Sequence, residues 1–383
     1  MSLPFCVLSD DTPKSSVLSR TEYELRYVPE GEASYIRSFS INLKTGISFA
    51  KEPEDIRNKD VVRNTLEFYQ VEGRRTGFAW DHSAGRLYID MNANGDLTDD
   101  PEGVYEGSVN ERGRFSPVIF NVMMDGRPCK VYTEFDFYRY GSHGFYNWKI
   151  LSSWTGDVRI GSRTWRMTVY GDLDGKIHNR SYHDYLTLDS MEKSDAIPTG
   201  LPTQYGHIPI GLEILFNDTF LSFDFKVSHE KLNEPVLKVA VSELSRPFSY
   251  ADIRGEYIRR LVLQGSMPVY HDHPSGRIRV PVGVDDWDAH ILLQPPGDIS
   301  RRAYATLSDV KLDQDEVTAL KVGGPLENQI VCDKSSKRLV FSTQIVGIGG
   351  EKYNLEPLDY STPPEIIATH LGKVIMKSRF SYG

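Results

Sequence analysis

Cysteine, basic clusters and long apolar runs are all scarce in this sequence. Only three of its 383 residues are cysteine, Cys6, Cys129 and Cys332, and their wide spacing matches neither a disulfide framework nor a zinc motif. One long-range disulfide stays open for an oxidising compartment. No stretch approaches the ~20 apolar residues that cross a bilayer as a helix, so no membrane span is expected. Lys and Arg number 44 against 53 Asp and Glu, a formal net charge of −9. Without basic clusters nothing neutralises a phosphate backbone, and nucleic acid is not an expected partner. There is also no G-x-S-x-G elbow, no H-E-x-x-H and no phosphate-cradling glycine loop before a helix, so the commonest enzyme signatures are missing and catalysis stays open.

Helical periodicity is equally thin. The segment "PEDIRNKDVVRNTLEFY", residues 53–69, is the best candidate, with Pro53 opening a helix and Ile56, Val61, Leu66 and Phe68 facing inward. Strand signals dominate instead. "SPVIFNVMMDGRPCKVYTEFDFY" places two alternating runs around Asp125-Gly126, a dipeptide suited to a tight hairpin, and "IGLEILFNDTFLSFDFKV" repeats the pattern around Asn217-Asp218. Many short strands with frequent turns imply a mainly β fold of two sandwich-like domains. A polar connector at residues 242–255 sets the boundary. The expected division is an N-terminal extension over 1–30, a β-rich domain over 31–245, and a C-terminal sandwich of immunoglobulin-like or transthyretin-like type over 246–383.

The stretch "RLYIDMNANGDLTDDPEG", residues 86–103, crowds acids and amides behind a strand. Calcium takes six to eight hard oxygens, and short loops supply them from positions 1, 3 and 5, with glycine at 6, a carbonyl at 7 and an apolar anchor at 8. Asp90, Asn92, Asn94, Gly95, Asp96 and Leu97 fill those places in order. Like charges at such close spacing repel unless a cation sits among them. The expected ligands of a Ca2+ ion are therefore Asp90, Asn92, Asn94 and the carbonyl of Asp96, with Asp99, Asp100 or Glu102 completing the shell. The loop resembles those of EF-hand and dockerin proteins, but its position 12 is Pro101 rather than a bidentate acid, and a strand precedes it. A second, degenerate copy lies at "WRMTVYGDLDGKIHN", where Asp172 and Asp174 match Asn92 and Asn94 but Tyr170 stands in place of Asp90.

Taken with "LKVGGPL" and "GIGGEKY" further on, the strand-borne D-x-N-x-N-G-D loop resembles that of a group of uncharacterised exported bacterial β-proteins. The resemblance implies a secreted or periplasmic location. The polar start "MSLPFCVLSDDTPKSS" has neither the basic nor the apolar region of a signal peptide, so a mature chain with its signal removed is expected.

Other residues are weaker candidates. His271 and His273 have the two-residue spacing that puts both imidazoles on one face of a strand, although a surface turn explains them as well. His183 and Asp184 could form an acid/base pair or a strand-edge hydrogen bond. "TEFDFYRYGSHGFYNW" gathers Phe135, Phe137, Tyr138, Tyr140, Phe145, Tyr146 and Trp148, of which at least one of Tyr140, Tyr146 and Trp148 is expected at the surface, where it could stack on a sugar ring. Asp285, Asp286 and Asp288 surround Trp287. Two readings follow: a calcium-stabilised protein that binds carbohydrate or another cell-surface polymer without catalysis, or a polysaccharide-acting hydrolase using a carboxylate pair such as these.

Overall fold

A computed structural model describes residues 16–31, 37–42, 46–71, 74–109, 112–140, 143–171, 177, 184–191, 205–231, 234–284, 286–294, 302–312, 317–335, 338–356, 365–370 and 373–379. Strand makes up 68% of it, with no α-helix among the described residues, so the chain is mainly β. Among the described residues no helix is long and apolar enough to cross a membrane. The described residues fall into two compact units, one of residues 16–213 and 219–245, the other of 214–218 and those from 246 onward.

In the first unit two four-stranded sheets meet face to face. One runs Val62–Val71, Arg74–Asp81, Arg86–Ile89, Val104–Glu106; the other runs Arg37–Asn42, His143–Ile150, Arg127–Tyr140, Arg112–Met124. Alternation decides which side chains enter the layer between them, because successive residues of a strand point to opposite faces. Phe135 and Phe137 point inward from one sheet, Phe78 and Trp80 from the other. The Phe137 ring centre lies 5.2 Å from those of Phe78 and Trp80 and 5.5 Å from that of Tyr146. The unit also holds an antiparallel run in the order Ile208–Pro209, Tyr185–Ser190, Arg163–Tyr170, Ser153–Ile160, Ser16–Val28, Glu234–Ser245, Thr219–Lys231.

The second unit has a run ordered Ile214–Phe216, Val269–Asp272, Ile258–Gln264, Trp287–Leu293, Arg302–Val310, Lys352–Glu356, Arg338–Val346, Glu327–Ser335. A three-stranded sheet of Gly276–Pro281, Phe248–Arg254 and Thr318–Lys321 and a hairpin of Glu365–His370 with Lys373–Arg379 accompany it. Two of its pairings are parallel, Ile214–Phe216 with Val269–Asp272 and Phe248–Arg254 with Thr318–Lys321.

The turn at Asp125-Gly126 forms as expected, both residues taking positive φ, 48° and 74°, the backbone a two-residue primed turn requires. The helix expected over 53–69 does not form. Turns occupy residues 54–58 and Val62–Val71 is a strand, because Val61, Val62 and Thr65 are β-branched and lose rotamer freedom in a helix but pack readily on a pleated surface. Ile56, Val61 and Leu66 are nonetheless buried, as the helical reading also required.

Candidate metal centre

The oxygen-rich loop leaves the end of Arg86–Ile89, a strand paired antiparallel with Arg74–Asp81. Asp90 stays tied to that hairpin by its N–H, which donates to the Gly77 carbonyl at 2.9 Å. Its side chain then turns into the loop. One carboxylate oxygen accepts from Asn94 N–H at 3.1 Å and the other from Gly95 N–H at 2.9 Å. Similar short-range bonds follow at two-residue steps: Asn92 Oδ1 accepts from Asn94 N–H at 3.0 Å, Asn94 Oδ1 from Asp96 N–H at 2.7 Å, and Asp96 Oδ1 from Thr98 N–H at 2.9 Å. Such bonds are the local alternative that Asx residues offer to regular structure. The tight coil needs left-handed backbone at Ala93 (φ 53°) and Gly95 (φ 83°), and glycine at position 6 adopts it without steric cost.

A second segment holds the loop from the side. Ala50 N–H donates to Gly95 O at 2.8 Å, Leu97 N–H donates to Lys51 O at 3.1 Å, and Lys51 and Asp96 form a parallel bridge. Leu97, the apolar position 8, is buried with Ile56, Val61, Ala79 and Tyr88, against Phe49. Ile56 in the turn and Val61 just before the strand, both from the segment predicted as a helix, therefore help anchor the loop.

The expected ligands separate into three groups. Asp90, Asn92 and Asn94 turn along one coil, with Asp90 buried. The Asp96 carboxylate is committed elsewhere, to Lys51 Nζ at 2.6 Å and Thr98 Oγ1 at 2.5 Å; the lysine contact, then the threonine bonds, hold its carboxyl down at about 2. Only its carbonyl is left for a cation. Asp99 accepts from the side-chain amides of Asn92 at 3.3 Å and Asn94 at 2.8 Å.

Asp100 is the outlier. It is 8% exposed, and its Oδ2 is buried without a hydrogen-bond partner. Burial first, then the charges of Asp90, Asp99 and Asp96, push its carboxyl up to about 6, against an opposing bond from the Met91 backbone. Pro101–Gly103 forms a short 3-10 turn in which Gly103 N–H donates to Asp100 O at 2.9 Å. The turn directs the acid at position 11, rather than position 12, toward the loop. Among the described residues no three acidic, histidine or cysteine side chains are gathered closely enough to hold a metal by themselves, so any cation here depends equally on amide and carbonyl oxygens.

The remaining candidates are not brought together. Asp172, Asp174, His183 and Asp285 lie outside the described residues. His271 is buried in Val269–Asp272 with Nε2 3.1 Å from the Arg279 carbonyl, and desolvation lowers its pKa, whereas His273 sits in a turn at φ 49°. Asp286 and Asp288 are exposed on either side of buried Trp287. In the aromatic segment Tyr146 and Trp148 are buried and Tyr140 is 63% exposed, which meets the expectation of one surface ring. Cys129 and Cys332 are free thiols. Glu134 and Asp136, which no motif marks in the sequence, are both buried and ringed by Arg112, Arg114 and Lys149. Their only trace in the sequence is a pair of acids and a pair of arginines, each two residues apart, which the strand register alone brings together.

No protein-family model, no curated protein and no solved structure matches the chain.

Proposed function

We propose that this is an exported, calcium-binding β-protein that binds carbohydrate or another cell-surface polymer without catalysis. The observation that carries the calcium reading is the buried, unpartnered Oδ2 of Asp100 beside the charges of Asp90 and Asp99, since a buried anionic oxygen without a partner is costly unless a cation or donor reaches it. The ligand set is Asp90, Asn92 and Asn94 through side-chain oxygens, Asp96 through its carbonyl, and Asp100, with Asp99 completing the shell once it exchanges the two amide donors for the ion. With two neutral amides and no bidentate acid at position 12, the dissociation constant should fall at roughly 10⁻⁵ to 10⁻³ M. That range suits a compartment outside the cytoplasm. The hydrolase reading gains no support from Asp286 and Asp288, which are exposed beside buried Trp287. Calorimetric titration of metal-free protein with calcium tests the proposal; absence of saturable binding up to several millimolar refutes it.

Asp100→Asn separates an ion site from a mere turn. Its carboxyl is held above the unfolded value of 3.8, at about 6, so the folded state binds the extra proton and metal-free stability should fall as pH rises from about 4 to 6. The isosteric neutral amide removes that loss. Without calcium the variant should therefore be more stable than wild type at pH 7, by on the order of 1 kcal/mol after solvent screening, and it should gain little from calcium. Thermal melts at pH 5 and pH 7, with calcium and with chelator, check both signs.

A further inference from the structure

The outward face of the sheet containing Arg127–Tyr140 carries an unusual mixture of groups. Along that strand Glu134, Asp136, Tyr138 and Tyr140 alternate with the core residues Phe135 and Phe137. The register places Arg114 beside Asp136 and Arg112 beside Tyr138 on one side, with Lys149 beside Glu134 and Phe145 beside Tyr138 on the other. Glu134 is fully engaged, by Lys149 Nζ at 2.6 Å and Arg114 Nη2 at 2.7 Å. Asp136 is not. It is 5% exposed, yet its Oδ1 has no hydrogen-bond partner. The nearest cations stand just too far away, Arg112 Nη2 at 3.6 Å from Oδ1 and Lys149 Nζ at 3.7 Å from Oδ2.

From this patch a row of stacked groups leads outward. The Arg112 guanidinium lies 5.0 Å from the Tyr138 ring centre, Tyr138 and Phe145 stack at 4.6 Å, and Phe145 and Tyr140 at 6.0 Å. The row ends at Tyr140, which leaves its ring open to solvent.

We infer that this face is a saccharide-binding site, taking a neutral oligosaccharide with Asp136 and Arg112 on its hydroxyls and Tyr140 against a sugar ring. The inference rests on the polymer-binding reading above and gives it a location. The charges decide the ligand class. An anion would meet Glu134 and Asp136, and a cation would meet Arg112, Arg114 and Lys149, so an ion of either sign finds repulsion. A hydroxyl both donates and accepts. Inserted between Asp136 and Arg112, once the 60% exposed arginine side chain swings aside, it gives Oδ1 the donor that it lacks and takes a bond from the guanidinium. The aromatic end suits the apolar face of a pyranose. Four residues of strand separate Asp136 from Tyr140, about 13 Å at the usual rise, the length of two to three sugar units.

The test is native affinity electrophoresis of the full chain in calcium, through gels containing soluble neutral glucan, mannan, xylan or galactan, with hyaluronan as the anionic contrast. At least one neutral polysaccharide should retard the wild type and hyaluronan should not. Tyr140→Ala and Asp136→Asn should each weaken that retardation roughly tenfold or more, the scale of one well-made contact. Tyr140 is exposed, so its variant should melt with the wild type and cannot lose binding by unfolding. Retardation that survives both substitutions overturns this face while leaving the polymer-binding reading intact. No retardation by any polysaccharide overturns this site together with the carbohydrate part of that reading, and retardation by hyaluronan alone overturns the neutral-ligand assignment.

Discussion

Gly103→Ala is expected to cost about 3 kcal/mol of stability or more, and to remove the response to calcium with it. A Cβ at this position would stand 2.2 Å from the Ile89 carbonyl oxygen and 3.1 Å from Met91 Cγ. Met91 is flexible and could yield, but the carbonyl belongs to backbone and cannot. Ile89 is paired with Phe78, and the next residue, Asp90, is fastened to Gly77 O at 2.9 Å. Neither strand can retreat without breaking the hairpin that carries the loop. The turn Pro101–Gly103 must move instead, and it takes Asp100 away from Asp90. Gly206→Ala is the control, because nothing lies within 4 Å of its added Cβ; that variant should melt with the wild type. Urea denaturation of the three proteins, repeated with and without calcium, gives the comparison. A Gly103→Ala protein as stable as the wild type would mean that the turn is free to move, and that Asp100 is not held against the loop.

The parts of this structure that could be read from the sequence are those set by neighbours a few residues apart. Alternation identified the strands bearing Phe135 and Phe137, and Asp125-Gly126 announced its hairpin, because side-chain direction and backbone φ are local properties. The spacing of Asp90, Asn92, Asn94 and Gly95 was legible for the same reason, each bonding to another of the four within five positions. Residues 53–69 were misread because a short apolar pattern does not separate a helix from a buried strand: Ile56 is buried from a turn and Leu66 from a strand. What the sequence concealed depends on register and close approach. Asp100 is distinguished from Asp99 and Glu102 by its burial, next to a turn whose Gly103 lies so close to Ile89 that a Cβ would stand 2.2 Å from the Ile89 carbonyl oxygen. The cations around Glu134 and Asp136 arrive from two other strands, and no spacing within residues 127–140 predicts them.

Asp90→Ala should lose stability through two effects that can be measured apart. Without calcium, the substitution takes from the half-buried Gly95 N–H its carboxylate acceptor at 2.9 Å, while the Asn94 N–H loses the one at 3.1 Å but keeps Asn92 Oδ1 at 3.0 Å. Unsatisfied donors cost about 1 to 3 kcal/mol each when buried. One half-buried donor is affected and the loss of a negative charge beside Asp100 offsets part of its cost, so a net loss of about 1 to 2 kcal/mol is expected for the metal-free protein. With calcium, the wild type gains further stability that the variant cannot. If only the folded state binds, free calcium at roughly 100 times the dissociation constant adds about 2.7 kcal/mol, several degrees in melting temperature for a chain of this size. The gap between wild type and Asp90→Ala should thus widen on adding calcium and narrow on chelation. Asp172→Ala, in the second copy of the loop, should keep the full calcium increment, because Tyr170 there stands where a leading carboxylate is needed. The decisive comparison is the calcium-dependent shift of the wild type itself, in a sample verified free of metal beforehand. Equal melting curves with calcium and with chelator would leave the oxygens of residues 90–100 holding a turn and no ion.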